Sequence, residues 1–503
     1  MIDRHVIVIG AGMGGLAAAA RLAAAGCRVT VLEAQPTLGG KLRQIQVAGR
    51  LIDSGPTVLT MAWVFEELFQ SCGTSLAAEL SLIPLATLAR HVWPDGTRFD
   101  LFADPARTQD EIGRIFGARE ARGYQSFRAR ARRIYETLEA PFIRAPLPTP
   151  LGLVRRAGVL PISRIAPFTS YWRALGAHFK DPRLRQLFAR YATYCGANPF
   201  TAPATLMLVA HVESQGVWVV QGGMHKLAES VARAAEAQGA TIRTQCRVRE
   251  ILTAGGRATG VRLDSGQVIP AHAIILNADC ASLTAGLFGQ APAKAIRVPR
   301  ARSLSALTLS LVATASEFPL LRHNVIFSPD YKQEFQQIEQ NRLPDHPTLY
   351  LCAQDRTDLP IAPAPESLFC ILNAPATGAA SQPDPAAIDA AVSAMHAQLR
   401  QTGIHLRCVA SQTTTPAMFH HLFPASSGAL YGPANNGPYA SFHRPGARTR
   451  IPNLYLAGGT IHPGPGLPMA ALSGRMAALS LLQDGASTRQ SPSMATAGGM
   501  RTG

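Results

Sequence analysis

The sequence predicts an α/β protein: a doubly wound, discontinuous nucleotide-binding domain, an α+β second domain, and a helical segment. Three stretches predict it. "HVIVIG" (5–10) is a β-branched run that enters Gly10-Ala11-Gly12-Met13-Gly14-Gly15 and an alanine-rich helix. "NLYLA" (453–457) enters "GGTIHPGPGLPMAALSG" and a further helix, a second strand–loop–helix passage. Between them, "GGMHKLAESVARAAEAQG" carries apolar residues at helical spacing. "TIRTQCRVREIL" and "RATGVRLDSGQVIPAHAIILNAD" then alternate as strands around a turn at "DSG". At 503 residues the chain exceeds one ordinary core.

The first loop satisfies G-x-G-x-x-G in a Rossmann-like setting. Gly10 permits the tight turn, Gly12 with Gly14 beside it leaves room for a pyrophosphate, and Gly15 lets helix and strand pack closely. The helix N-terminus offers free amides to the phosphate. A second strand, "RVTVLE", ends on Glu33, 23 residues after Gly10. An acid there binds a ribose hydroxyl pair and disfavours a 2′-phosphate, hence NADP. The fingerprint alone does not separate FAD from NAD. Downstream, Gly39 and Gly40 admit a ligand against bare backbone, and Arg43 is either a phosphate or flavin contact or a solvated surface residue.

The expected nucleotide domain takes residues 1–85, 215–290 and 445–484. Residues 86–214 and 291–444 lack that grammar and form the substrate domain, and 485–503, small and polar, form a loose tail. Within the substrate domain, "RIFGAREARGYQSFRARARRIYETLE" reads as a basic amphipathic helix pair. Residues 140–179 then mix prolines and large apolar residues with Arg144, Arg155, Arg156, Arg164 and Arg173 and contain no acid. Basic flanks around apolar segments suit an interfacial membrane patch; a helical lid with surface arginines is the other reading.

The net charge of +16 fits either arginine-rich codon usage or attraction to an anionic membrane. Basic clusters with interleaved aromatics are missing, so no nucleic-acid partner is expected. Eight cysteines without a CxxC read as small buried hydrophobes, and the histidines show no metal spacing, so no metal site is expected. Neither a secretion signal nor a transmembrane helix is read.

Together, "GGKLRQIQVAGRLIDSGPTVLT", the middle helix-and-strand segment, and "LFPASSGALYG" with "ASFHRPGARTRIPNLYLAGGTIHPGPGLPMAALSG" resemble the bacterial carotenoid desaturases of the flavin-containing amine oxidase superfamily. The resemblance spans residues 5–484. "GPTVLTMAWVFEELF" and "FPASSGALYG" look most like the enzymes acting on 1-hydroxylated acyclic carotenoids, the hydroxyneurosporene or methoxyneurosporene dehydrogenases. One segment departs: Asn435–Phe442 reads "NNGPYASF" where such proteins often read "SHGWMASF", which leaves substrate choice open.

The resemblance implies FAD as cofactor. It assigns to FAD the segments Gly39-Gly40-Lys41 with Arg43, Gly55-Pro56-Thr57, Val248 through its backbone on the adenine side, and the closing Gly458, Gly459, Gly466, Leu467, Pro468 and Met469. It also implies desaturation, most closely of the C-3,4 bond of a 1-hydroxycarotenoid, with hydride passing to flavin N5 and a proton to a base or water. Phytoene or neurosporene desaturation, carotene isomerisation and, more remotely, polar amine oxidation are the alternatives. No single residue stands out as an essential acid or base: Asp53 is a candidate or only holds the strand-turn geometry, His462 relays protons or is structural, and Arg444 contacts flavin or a substrate hydroxyl or is paired on the surface. The lipophilic substrate implies a peripheral position on the cytoplasmic face of the inner membrane, with oxygen or a quinone as electron acceptor.

Overall fold

A computed structural model of the chain describes residues 4–165, 168–316, 318–356, 365–378 and 384–489. Its centre is a five-stranded parallel sheet assembled from three distant parts of the chain. The strand order is Leu454–Leu456, Ala273–Leu276, His5–Ile9, Arg28–Leu32 and Thr241–Arg243. The first strand is flanked on both sides, pairing Val6 with Ala273 and with Val29. Chain order therefore reverses between the first strand and Ala273–Leu276, and a ligand crevice opens beyond the carboxyl ends of the strands there. Every residue of the first strand is buried, which explains its unbroken β-branched run.

Two helices cover this sheet side by side: Met13–Ala24, which leaves the first glycine loop, and Leu467–Arg489, which leaves the closing loop. Their backbones meet at Gly474, where a Cβ would stand 2.2 Å from Gly14 O and 2.9 Å from Ala18 N. The alanines of the first helix follow from this: larger side chains would hold the helices apart. The second helix also revises the expected tail. It continues through Arg489, and Asp484 accepts hydrogen bonds from Arg448 and the Tyr455 hydroxyl, so residues 485–489 are helical. Residues 490–503 lie outside the described part.

A three-stranded meander, Val248–Ala254, Arg257–Leu263 and Val268–Pro270, flanks the parallel sheet. The second large sheet has seven strands in the order His405–Thr414, Ser305–Ser316, Glu366–Ala374, Leu349–Ala353, His323–Ile326, Thr87–Val92 and Arg98–Phe102. Its pairings are antiparallel except for His323–Ile326 against Thr87–Val92. The hairpin of residues 87–102 thus joins a sheet otherwise built more than 200 residues later.

Between these parts run helices Pro105–Phe116 and Ala118–Leu138, broken at Gly117, and the shorter helices Pro150–Ala157, Val159–Arg164 and Leu208–Ser214. Among the described residues no helix is long and apolar enough to cross a membrane. All eight cysteines are free; Cys408, on the edge strand, is exposed, contrary to the expectation that the cysteines are buried. An edge strand with one face open to water has no core position to offer it.

The contact at Gly474 yields a stability test. Gly474→Val drives a branched side chain into the Gly14 carbonyl and should destabilise by at least about 2 kcal/mol, lowering the thermal midpoint. An unchanged midpoint would show that the two helices separate freely.

Candidate functional site

At the switch point the two glycine loops touch, and one side chain holds them together. Asn277 directly follows the strand Ala273–Leu276, and its Nδ2 donates to Gly10 O at 3.2 Å. A Cβ placed on Gly12 or Gly15 would stand 2.9 Å from that nitrogen, and one on Gly14 or Gly458 would stand 2.9 or 2.8 Å from Asn277 Oδ1. The same Gly14 Cβ would be 2.6 Å from Gly458 N, so first loop and closing loop are in backbone contact. At φ +116, Gly458 also adopts a conformation only glycine takes easily.

Glu33 reaches back to this loop, accepting from Ala11 N at 2.7 Å and Gln35 N at 2.8 Å. The first helix begins at Gly12 without a side-chain cap, leaving its leading amides open.

One cavity of about 1270 Å³ runs from this cradle into the interior. It is larger than a typical small-molecule site of roughly 300–1,000 Å³. Gly10, Gly12, Gly14 and Glu33 line one end, with Val248 beside them. Gly39, Gly40, Lys41 and Arg43 line the adjoining wall, as do Gly55, Pro56 and Thr57. Gly458, Gly459, Gly466, Leu467, Pro468 and Met469 close it from the other side. Gly15 lies behind the lining, under Gly10, where a Cβ would meet Gly10 O at 2.2 Å.

Lys41 donates from Nζ to Leu430 O at 2.5 Å and sits over the Phe423 ring. Burial holds its pKa below the ordinary lysine value; Asp279 opposes the shift, and Arg444 and Arg302 add to it. Arg43 donates to Thr414 Oγ1 at 3.0 Å and lies over Phe419, so it is a part-buried wall residue, not a solvated one.

The three catalytic candidates do not line the cavity. Asp53 accepts from Met224 N at 2.6 Å and from Gln44 Nε2 at 3.0 Å, so its carboxylate anchors the entry to helix His225–Ala237. Arg444 is 2% exposed, and its guanidinium donates to Asn435 Oδ1, Gly459 O, Tyr431 O and Pro433 O. It is neither a surface residue nor a substrate contact but a clamp between the 431–435 loop and the closing loop. Burial lowers its pKa to about 10, which leaves it charged. His462 bonds through Nε2 to Ala145 O at 2.9 Å and packs against Phe142, while its Nδ1 is buried without a partner. Burial lowers its pKa to about 4, so the ring is neutral at pH 7.

Away from the cradle the lining is mostly apolar, supplied by residues such as Leu138, Phe142, Leu187, Leu206, Val209 and Val212. Among the polar groups that interrupt it are two whose members, Thr57 apart, were not picked out in the sequence. Thr57 Oγ1 and His323 Nδ1 both bond to the Tyr350 hydroxyl, at 2.6 and 2.7 Å. Burial pushes the pKa of His323 down to about 3. Glu213, Tyr191, Arg190 and Tyr194 form the second group. Glu213 had a signal, being the only acidic residue between Asp181 and Glu229, and Asn277 stands directly after an apolar strand.

Toward the surface the cavity reaches the 140–179 segment. Leu153, Val154, Ile162 and Ile165 face the cavity, while Leu151, Val159 and Leu160 on the same two short helices are 79, 71 and 67% exposed. Phe168 and Tyr439 are both exposed, both line the cavity and pair at 5.8 Å, so they frame its mouth. Tyr439 belongs to the "NNGPYASF" segment. Arg155, Arg156, Arg164 and Arg173 are exposed around this patch. Arg144 is not part of it: it bonds Glu67 at 2.7 Å and Glu139 at 3.0 Å and stacks on Trp63.

Residues 13–482 match the family described as flavin containing amine oxidoreductase. The chain is 47% identical to a hydroxyneurosporene desaturase of Rubrivivax gelatinosus, over 99% of this chain and 97% of that protein. It is 31% identical to a phytoene desaturase of Neurospora crassa, over 96% and 85%. An oxidoreductase of Methanosarcina mazei shares the fold, with a TM-score of 0.60 at 16% identity, covering 95% of this chain and all of that one.

The buried histidines set a pH dependence of stability. His323 and His462, with folded pKa values of about 3 and 4, bind protons more readily unfolded, near 6.5. Their contribution is complete above pH 6.5 and lost as pH falls toward 4, by several kcal/mol in total on the order-of-magnitude scale. Urea midpoints measured from pH 7.5 to 4.5 should fall steadily, and less steeply in His323→Gln; equal slopes in the two proteins would contradict this account.

Proposed function

The chain belongs to the flavin containing amine oxidoreductase family, and within it we propose that the protein is an FAD-dependent desaturase of acyclic carotenoids, acting on the C-3,4 bond of a 1-hydroxylated one. The observation that carries this reading is the continuity of the cavity from the dinucleotide cradle into a mostly apolar chamber. A polar amine would find few partners on those walls, whereas the apolar lining suits a carotenoid. Identity to the hydroxyneurosporene desaturase well above that to the phytoene desaturase supports the hydroxylated substrate over the unhydroxylated alternative.

The residues fit FAD. Bare backbone faces bare backbone across the cradle, where a Cβ on Gly40 would stand 3.2 Å from Gly12 Cα, so side chains here would fill the ligand's space. The uncapped helix start at Gly12 takes the pyrophosphate, and the carboxylate oxygens of Glu33 retain lone pairs for the ribose hydroxyls. Gly39, Gly40, Gly55, Pro56 and Thr57, together with Gly458, Gly459 and Gly466 to Met469, enclose the flavin end. Lys41 and Arg43 add positive charge to that wall, and Val248 borders the adenine end. Bound there, the flavin supplies the two-electron acceptor needed to remove hydrogen from adjacent saturated carbons.

The chain's own contribution is binding, alignment and exclusion of water. Apolar walls hold the polyene extended and keep water from the reacting carbons. With Asp53, His462 and Arg444 occupied elsewhere, the proton passes to a group on the chamber wall. Reoxidation falls to oxygen or a membrane quinone.

The exposed Leu151, Val159 and Leu160, ringed by arginines beside the cavity mouth, seat the protein peripherally on the cytoplasmic face of the inner membrane, from which an insoluble substrate enters.

Purified protein should carry one flavin, and anaerobic addition of a 1-hydroxylated acyclic carotenoid should bleach the flavin band as the polyene absorption shifts to longer wavelength. Consumption of phytoene alone would refute the substrate assignment. Replacing Leu151, Val159 and Leu160 together by serine should reduce sedimentation with phosphatidylglycerol vesicles at least about tenfold, since each loses about 1–2 kcal/mol of burial. Undiminished sedimentation would move the membrane contact elsewhere.

A further inference from the structure

The chamber wall is apolar over most of its length, and a belt of four polar side chains stands out against it. Arg190 Nη2 donates to the Tyr194 hydroxyl, and the Tyr191 hydroxyl donates to Glu213 Oε2. All four side chains line the cavity. Glu213 is cut off from bulk water, and burial raises its pKa, yet it keeps surface open to the chamber. A carboxylate offers about four lone-pair positions, and among the described residues only Tyr191 donates to it. A chamber built solely to hold hydrocarbon gains nothing from a half-satisfied carboxylate, because its desolvation is offset only when donors complete it. A donor arriving with the substrate completes it.

The belt is tied to the loop that closes the cradle. The Tyr431 ring rests on Gly196, where a Cβ would be 2.3 Å from Tyr431 Cδ2. Cys195 O, next to Tyr194, accepts from Asn435 Nδ2 at 3.1 Å; Asn435 Oδ1 accepts from Arg444, which also donates to Gly459 O in the closing loop. Two side chains therefore connect the belt to the loop that covers the flavin end. In a 1-hydroxylated acyclic carotenoid the hydroxyl sits two carbons from the C-3,4 bond. Whatever recognises that hydroxyl must stand next to the place of reaction.

We infer that Glu213, oriented by Tyr191, accepts the hydrogen bond of the substrate's tertiary hydroxyl, and that the belt it forms with Arg190 and Tyr194 selects hydroxylated over unhydroxylated carotenoids. This rests on the desaturase reading above and adds to it the residues that set specificity. Tyr191 is a positioning residue: it holds one carboxylate oxygen and leaves the other directed to the chamber. The guanidinium of Arg190 balances the carboxylate's charge from within the belt. Sites built to hydrogen-bond a substrate hydroxyl discriminate strongly against analogues lacking it, because the buried acceptor is then left unpaired.

The test compares kcat/KM of the flavin-loaded enzyme on a 1-hydroxylated acyclic carotenoid and on the same carotene without the hydroxyl. Glu213→Leu should reduce the preference for the hydroxylated substrate at least about 100-fold, mainly by loss of activity on that substrate. Glu213→Gln, which keeps a carbonyl acceptor, should retain most of the preference, and Tyr191→Phe should fall between. Flavin absorbance per chain, equal in all variants, guards against misfolding. If Glu213→Leu and Glu213→Gln lower turnover of both carotenoids alike, Glu213 serves the reaction and not the hydroxyl, and the inference fails while the desaturase reading stands. If the unmodified enzyme converts neither carotenoid, both fall.

Discussion

The structure depends on the close contact of two glycine loops around Asn277. Strands at positions 5–9, 273–276 and 454–456 lie side by side, so the loops that leave them must share the narrow space at the sheet's carboxyl edge. That space admits one amide side chain and no other. Gly10, Gly12, Gly14, Gly15 and Gly458 are each within a clash distance of Asn277 if given a Cβ. The constraint also governs the helices, since Gly474 must stay bare for the two to lie close enough to start together. Near-identical packing needs at both loops explain why strand–glycine–helix occurs twice in one chain: the two passages build one cradle.

Much of this was legible because it is local. The turn at Gly10, the spacing to Glu33 and the helix behind them are properties of a single short segment, and the same holds for the closing loop. The seven-stranded sheet was only generically legible as α+β, because its Thr87–Val92 strand pairs with residues 324–326 across intervening helices. The partners of the catalytic candidates were hidden for a related reason. Asp53, Arg444 and His462 were picked for lying near recognisable motifs, but their partners are Met224 N, the carbonyls of 431–433 and Ala145 O. Backbone partners in irregular loops leave no trace in sequence. The helical residues 485–489 were equally hidden: their composition is that of a tail, and the packing of Gly485 on Arg4 holds them.

Charge in the interior is handled by two different means. Arg356 and Glu366 form a paired, two-bonded contact at 2.7 Å, with both ions buried and their hydrogen bonds made. Among the described residues Arg444 has no carboxylate partner, and it is held by dipoles, three of them backbone carbonyls. The second arrangement fixes loop geometry, because its acceptors tie the 431–435 stretch to Gly459 in the closing loop. Lysine could not replace it, since one ammonium cannot span the fork of directions those acceptors define. The cost is a permanent positive charge near the closing loop, which suits a site for an anionic dinucleotide.

Cradle and chamber consequently answer to different rules. The cradle works through backbone amides, bare glycine surfaces and helix starts, so its shape survives wide change in other residues; the fold is shared at a TM-score of 0.60 with only 16% identity. The chamber works through side chains, and nothing in the fold dictates them. Its mouth is framed by Phe168 and Tyr439 and its polar belt by Arg190, Tyr191, Tyr194 and Glu213, drawn from segments with no nucleotide grammar. On the proposed reading, substrate choice rests on side chains of the chamber, and the cofactor is held by the backbone of the cradle.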